Sequence, residues 1–184
     1  MAKIFIETER LILRELIPED AERMFLLDSN PDVMKYLGQK ILTKVEESAA
    51  VIEMIRQQYI DNGIGSWAVV EKSSKLLIGW CGLKILRQET NGFKNVYELG
   101  YRFHPESWGK GYASESGKAV LNYGFNTLKV DIIYASATID NNGSNHVLRK
   151  LGFTEKGTFI DPLDNAECFW YEMKNEDFNN NVKL

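Results

Sequence analysis

The stretch His104-Pro105-Glu106-Ser107-Trp108-Gly109-Lys110-Gly111-Tyr112-Ala113-Ser114-Glu115 carries the residue types best suited to chemistry, because two closely spaced glycines join a strand-like to a helix-like segment. Successive backbone N–H groups in such a turn, aimed along the start of a helix, make a site for a phosphate or pyrophosphate. Gly109 and Gly111 let the backbone approach an anion closely, and Lys110 adds charge. The same spacing also suits a plain strand-to-helix turn whose glycines only supply positive φ. Two known phosphate loops fit poorly. The Walker loop needs Ser or Thr after Gly-Lys, and here Gly111 and Tyr112 follow Lys110. A dinucleotide fingerprint would place Ser114 where a third Gly or Ala belongs, and no run of parallel strand-helix units surrounds it, although Asp131 stands where the ribose-binding acid would.

The elements that must position this loop can be read from periodicity. Tyr97, Leu99, Tyr101 and Phe103 alternate with Glu98, Gly100 and Arg102, so a strand with one core face and one charged face leads into the turn. After it, Ala113, Gly117, Val120, Leu121, Gly124 and Leu128 form a helical stripe. Ile132 to Ile139 reads as a strand, Ser144 to Leu151 as a short helix, and Phe153 to Phe159 and Glu167 to Met173 as two late strands. Upstream, Arg10 to Glu15 alternates as a strand, and a helix runs from Pro18 to about Ser29. Asn30-Pro31 starts a short helix that Gly38 ends. Thr43-x-x-Glu46 is a capping box for an amphipathic helix closed near Asn62-Gly63, and strands follow at Trp67 to Glu71 and Leu76 to Lys84. Helices, an antiparallel meander, then strand, helix and strand predict an α+β fold with a mixed sheet covered by helices.

Composition sets the outer limits. The 184 residues are 44% apolar, enough for one real core, and no linker or repeat divides them; a single domain over residues 1–184 is expected, with a loose tail from about Asn175. A net charge of −4 disfavours a nucleic-acid partner. No apolar run approaches the roughly 20 residues of a membrane span, and residues 1–7 form no secretory h-region, so no membrane role and a cytoplasmic address are the default expectation. Cys81 and Cys168 are too few for a metal knuckle or disulfide framework and are expected to be buried thiols. His104 and His146 are expected to be partly exposed structural residues, and no ligand cluster implies a metal.

Three segments resemble the GNAT N-acetyltransferase superfamily, and within it the RimJ/RimL branch of ribosomal-protein N-terminal acetyltransferases. Glu9-Arg10-Leu11-Ile12-Leu13-Arg14 with Pro18-Glu19-Asp20-Ala21 is similar to that branch's opening strand and helix. Glu98-Leu99-Gly100-Tyr101 through Pro105 to Glu115 resembles its acetyl-CoA loop, with Trp108 where the wider superfamily has Gln or Arg. Asn141-Asn142-Gly143-Ser144-Asn145-His146-Val147-Leu148-Arg149-Lys150-Leu151-Gly152-Phe153 resembles its second cofactor motif. The resemblance covers Thr8 to about Lys174 and implies the acyl-CoA N-acyltransferase fold. In that fold two parallel strands splay apart, here the strand ending at Phe103 and the strand from Ile132, and acetyl-CoA enters the gap.

The resemblance further implies acetyl transfer from acetyl-CoA to a primary amine, with a protein N-terminal amine as the leading acceptor and small amines, antibiotics included, as alternatives. A CoA-binding module without turnover is the competing reading. Glu98 is the expected general base, against a surface ion pair with Arg102. A backbone N–H between Leu99 and Phe103, where Gly100 permits a bulge, meets the oxyanion. Leu99, Tyr101 and Phe103 line the cofactor, and Trp108, Gly109, Lys110, Gly111, Tyr112, Ala113 and Ser114 wrap its pyrophosphate. The tyrosine that serves many relatives as acid is absent, since Leu148 stands five residues before Phe153. Ser144 is the branch's alternative acid, against a role as helix N-cap, and Asn141 is expected to hold the pantetheine arm. Monomer and homodimer both fit the family.

Overall fold

The computed structural model describes residues 2–38 and 41–182. Its strands are β1 (Ile4–Glu7), β2 (Leu11–Arg14), β3 (Ser66–Glu71), β4 (Leu77–Leu86), β5 (Val96–Phe103), β6 (Ile132–Thr138), β7 (Thr154–Ile160) and β8 (Glu167–Lys174). Its helices are α1 (Ala21–Asp28), α2 (Pro31–Met34), α3 (Val45–Asn62), α4 (Tyr112–Asn122), α5 (Asn142–Leu151) and α6 (Asn175–Val182). The strands form one sheet in the order β1-β2-β3-β4-β5-β6-β8-β7. Every neighbouring pair is antiparallel except β5 and β6.

That parallel pair positions the site. It is registered only at Tyr97↔Ile133 and Glu98↔Tyr134, after which the strands part. On the outer sides β5 stays in unbroken register with β4 from Val96 to Phe103, and β6 with β8 from Ile132 to Thr138. The gap therefore lies between two stiff half-sheets. No bulge interrupts β5, contrary to the expectation at Gly100; a Cβ there would lie 3.3 Å from the Trp80 ring, so the glycine makes room for an indole.

One sheet face carries the larger core, where Leu13, Trp67, Leu83, Leu99, Ile133 and Tyr171 meet Val120, Leu121 and Phe125. A Cβ at Gly117 would reach within 2.8 Å of Leu151 and one at Gly124 within 2.7 Å of Ile133, so the small residues of the helical stripe let α4 lie close to α5 and the sheet. Across β2 to β4 a second cluster packs Met24, Leu27, Val33, Ile52 and Ile55 against Ala68 and Leu77. Among the described residues no helix is long and apolar enough to cross a membrane.

Local signals hold with adjustments. Asn30 caps α2 as expected, its Oδ1 accepting from the Asp32 and Val33 N–H groups, but α2 stops at Met34, and Gly38 abuts Asp164 instead of ending the helix. The capping box sits one residue later than Thr43-x-x-Glu46: Glu47 reaches back to the N–H groups of Thr43 (2.8 Å) and Lys44 (3.1 Å). β1 is an added edge strand. Asn175 begins α6, not a loose tail, and Phe178 is 4% exposed with its ring 5.2 Å from Phe125. Phe178→Ala is expected to cost about 3 kcal/mol in denaturant unfolding; a loss below about 0.5 kcal/mol, the level of an ordinary surface change, would mean α6 is not docked.

Candidate active site

Strand geometry decides which backbone groups face the gap. The His104 N–H donates to Ile78 O on β4, and successive strand residues alternate in hydrogen-bonding direction. The N–H groups of Leu99, Tyr101 and Phe103 therefore turn toward β6; the Glu98↔Tyr134 rung takes up that of Leu99, and those of Tyr101 and Phe103 lie along the part of β5 where the β5–β6 ladder has ended. At the outer end the Trp108 indole N–H donates to Phe103 O at 2.8 Å. At the inner end, where the last rung closes, stands Glu98.

Glu98 lies on the face opposite Leu99, as the alternation predicts, but it is 6% exposed and does not pair with Arg102. Its Oε1 accepts from the Ser136 hydroxyl at 2.9 Å, and its Oε2 lies 2.7 Å from Lys84 Nζ, the residue directly across on β4. Arg102 instead forms a buried ion pair with Asp28 of α1 and stacks 5.4 Å from the Trp80 ring. Glu98 is thus a buried carboxylate held from both half-sheets. Its negative charge acts with others nearby: the Cys168 thiol is pushed up to about 11 by burial first, then by Asp161, Asp164 and Glu98. Both cysteines are free and buried.

Ser144 and Tyr101 face one another across the gap. The Tyr101 hydroxyl lies 3.0 Å from Ser144 Oγ and 3.1 Å from Ser144 O. Burial raises the Tyr101 pKa well above its ordinary value, with the Ser144 hydrogen bond acting the other way, so the phenol keeps its proton. Ser144 is not the N-cap of α5. That place belongs to Asn141, whose Oδ1 accepts from the Ser144 N–H at 3.1 Å, so the Asn141 amide N–H groups are its donors for a ligand. Asn145, which sequence reasoning passed over, is 1% exposed; it donates to Thr138 O and Ile139 O and accepts from the Tyr171 hydroxyl, pinning α5 to the end of β6.

The loop between β5 and α4 has the shape its glycines imply, with φ of 72° at Gly109 and 80° at Gly111. The Trp108 N–H is committed to Pro105 O at 3.0 Å, so Trp108 contributes its indole and not a backbone donor. From Gly109 through Lys110, Gly111, Tyr112 and Ala113 to Ser114, no backbone N–H meets an acceptor among the described residues. Six successive unpaired donors at a helix N-terminus suit a pyrophosphate. His146 is exposed, whereas His104 is 3% exposed, more buried than its sequence context suggests; burial first, then Arg23, lowers its pKa. Among the described residues no group of three or more His, Cys, Asp or Glu side chains is placed to hold a metal.

Known proteins resemble this chain in sequence and in fold. A family model described as "Acetyltransferase (GNAT) domain" covers residues 10–154. The uncharacterized N-acetyltransferase YoaA of Bacillus subtilis is 35% identical over 152 residues, 83% of this chain and 84% of that protein. Spermidine N(1)-acetyltransferase of Escherichia coli K12 is 30% identical over 150 residues, 80% of this chain and 75% of that protein. The crystal structure of a GNAT-family acetyltransferase from Bacillus anthracis superposes with a TM-score of 0.78 at 27% identity, covering 94% of this chain and 99% of that one. The chain therefore belongs to the GNAT acetyltransferase family and is an acetyl-CoA-dependent N-acetyltransferase.

Proposed function

We propose that the protein acetylates a small primary amine bearing a further positive charge, by direct attack on acetyl-CoA in a ternary complex. The observation that carries this reading is the buried Glu98 carboxylate, seated where β5 and β6 separate. A buried carboxylate there accepts a proton from the attacking nitrogen, and its charge favours a cationic acceptor. Similarity to spermidine acetyltransferases supports a small amine. The protein N-terminal amine implied by the opening strand and Trp108 gains no comparable support from the site.

The roles follow from position. The Gly109–Ser114 N–H groups take the pyrophosphate, with Lys110 adding charge, and the exposed edges of β5 and β6 take the pantetheine amides, with the Asn141 amide at the arm's far side. As nitrogen attacks, the C–N bond forms and the carbonyl oxygen becomes an oxyanion met by the β5 N–H of Tyr101 or Phe103. Collapse breaks the C–S bond. The amine's proton passes to Glu98, and the thiolate is protonated through the Ser144 hydroxyl, which Tyr101 backs and which regains its proton from solvent.

The test is thiol release from acetyl-CoA with spermidine, spermine, putrescine, free amino acids and short peptides beginning with Ala or Ser. Polyamines are expected to give the highest kcat/KM. Preference for the peptides would return the acceptor to a protein N-terminus, and no turnover with any amine, alongside stabilisation by CoA, would establish a sensor module instead.

A further inference from the structure

Glu115 and Arg10 are 105 residues apart in sequence and meet beneath the glycine loop. Glu115 stands in the first turn of α4. Its Oε1 accepts from the Thr8 hydroxyl at 2.6 Å and from the Arg10 backbone N–H at 3.0 Å. Its Oε2 accepts from Arg10 Nε at 2.7 Å and lies 2.6 Å from Nη2, so two guanidinium nitrogens converge on one carboxylate oxygen in a charge-assisted contact. Burial pulls the Glu115 carboxyl upward, but hydrogen bonds from Thr8 and Arg10 and the guanidinium charge outweigh it and hold the carboxyl below its usual value. The turn between β1 and β2 is therefore bolted to the first turn of α4.

The remaining arm of Arg10 reaches the loop itself. Nη1 donates to Lys110 O at 3.0 Å, and the guanidinium lies 4.6 Å over the Tyr112 ring, whose hydroxyl donates to Glu71. In a trans peptide the C=O and the following N–H point in opposite directions. Anchoring Lys110 O toward Arg10 therefore turns the Gly111 N–H the other way, out into the row of free donors. A Cβ at Gly111 would lie 3.6 Å from Arg10 Nη2, in ordinary van der Waals contact, so the guanidinium sits directly beside this turn of the loop.

We infer that Arg10 and Glu115 are positioning residues for the acetyl donor: the pair fixes the Lys110–Gly111 peptide so that the Gly111 N–H is aimed at the pyrophosphate before acetyl-CoA arrives. This rests on the reading that the Gly109–Ser114 donors bind that pyrophosphate. The glycines supply the shape of the cradle, and the clamp supplies its rigidity, so that less ordering is left for binding to offset.

The experiment compares two donors on wild type, Arg10→Met, Arg10→Lys and Glu115→Gln: acetyl-CoA, and acetylpantetheine, which keeps the thioester and both amides but lacks the pyrophosphate. Arg10→Met is expected to raise the KM for acetyl-CoA about tenfold, the scale of a lost charged hydrogen bond, with kcat at saturation near wild type. Arg10→Lys, which keeps the charge without the fork, is expected to fall between. With acetylpantetheine the variants and wild type are expected to have equal kcat/KM. Equal losses with both donors would mean that the clamp only holds the fold, and no loss with either would mean that it holds nothing relevant; either result overturns the inference. A wild type that uses both donors equally well would instead overturn the cradle reading beneath it.

Discussion

Glu98→Gln is expected to lower kcat at neutral pH by about 100-fold or more, while the KM for acetyl-CoA stays within about twofold, since a general base contributes to the chemical step and not to holding the donor. The substitution is well suited to the question. Gln keeps the volume and can still accept from the Ser136 hydroxyl, and the Lys84 ammonium it strands is 52% exposed, so water solvates the orphaned charge. Thermal unfolding should therefore change little. The pH profile separates catalysis from support. If Glu98 removes the proton from the bound ammonium, the deficit should narrow as pH rises toward the pKa of an ordinary alkyl amine, about 10.4, because solution then delivers the free amine. A loss that is the same at every pH would leave Glu98 as a strut between β4 and β6.

The contrast between Glu98 and Arg102 shows where the sequence is and is not informative. Strict alternation from Tyr97 to Phe103 is a local property, and it places Glu98 and Arg102 together on one face correctly. Their partners are not local. Lys84 is chosen by the β4–β5 register and Asp28 by the docking of α1, and neither register nor docking has a signature within β5. The glycine loop was legible for a related reason, since positive φ at Gly109 and Gly111 is a property of single residues, whereas the commitment of the Trp108 N–H to Pro105 O depends on the turn's three-dimensional closure. At the chain's end, three asparagines hide one apolar contact: α6 has little local helix preference, and Phe178 secures it by packing on Phe125. The assignment of a cap shows the same division. Both Asn141 and Ser144 are good caps by residue type, and only the helix start at Asn142 decides for Asn141.

Because Asn141 does the capping, Ser144 is free for another task, and the second large effect is expected there. Ser144→Ala should lower kcat about 10- to 100-fold, with a stability change well below the roughly 1 kcal/mol that loss of an N-cap costs. The proton inventory explains why Tyr101 belongs with it. Ser144 O can only accept, so when the Tyr101 O–H donates to it, the Ser144 hydroxyl turns its proton to the phenol oxygen. When Tyr101 donates to Ser144 Oγ instead, the serine proton is released toward the gap, where the departing thiolate would stand. Burial keeps the phenol protonated, so this second setting is available throughout the working pH range. Tyr101→Phe removes it and should lower kcat by a similar factor, and the double variant should be little worse than the poorer single one, because the two hydroxyls act as a unit. An acetyl selenoester of the same donor provides the decisive comparison. A selenol is the stronger acid and leaves without help, so all three variants should approach wild type with it. Full additivity of the two losses, or losses that persist with the selenoester, would place both hydroxyls in the architecture of the gap and hand the proton to water.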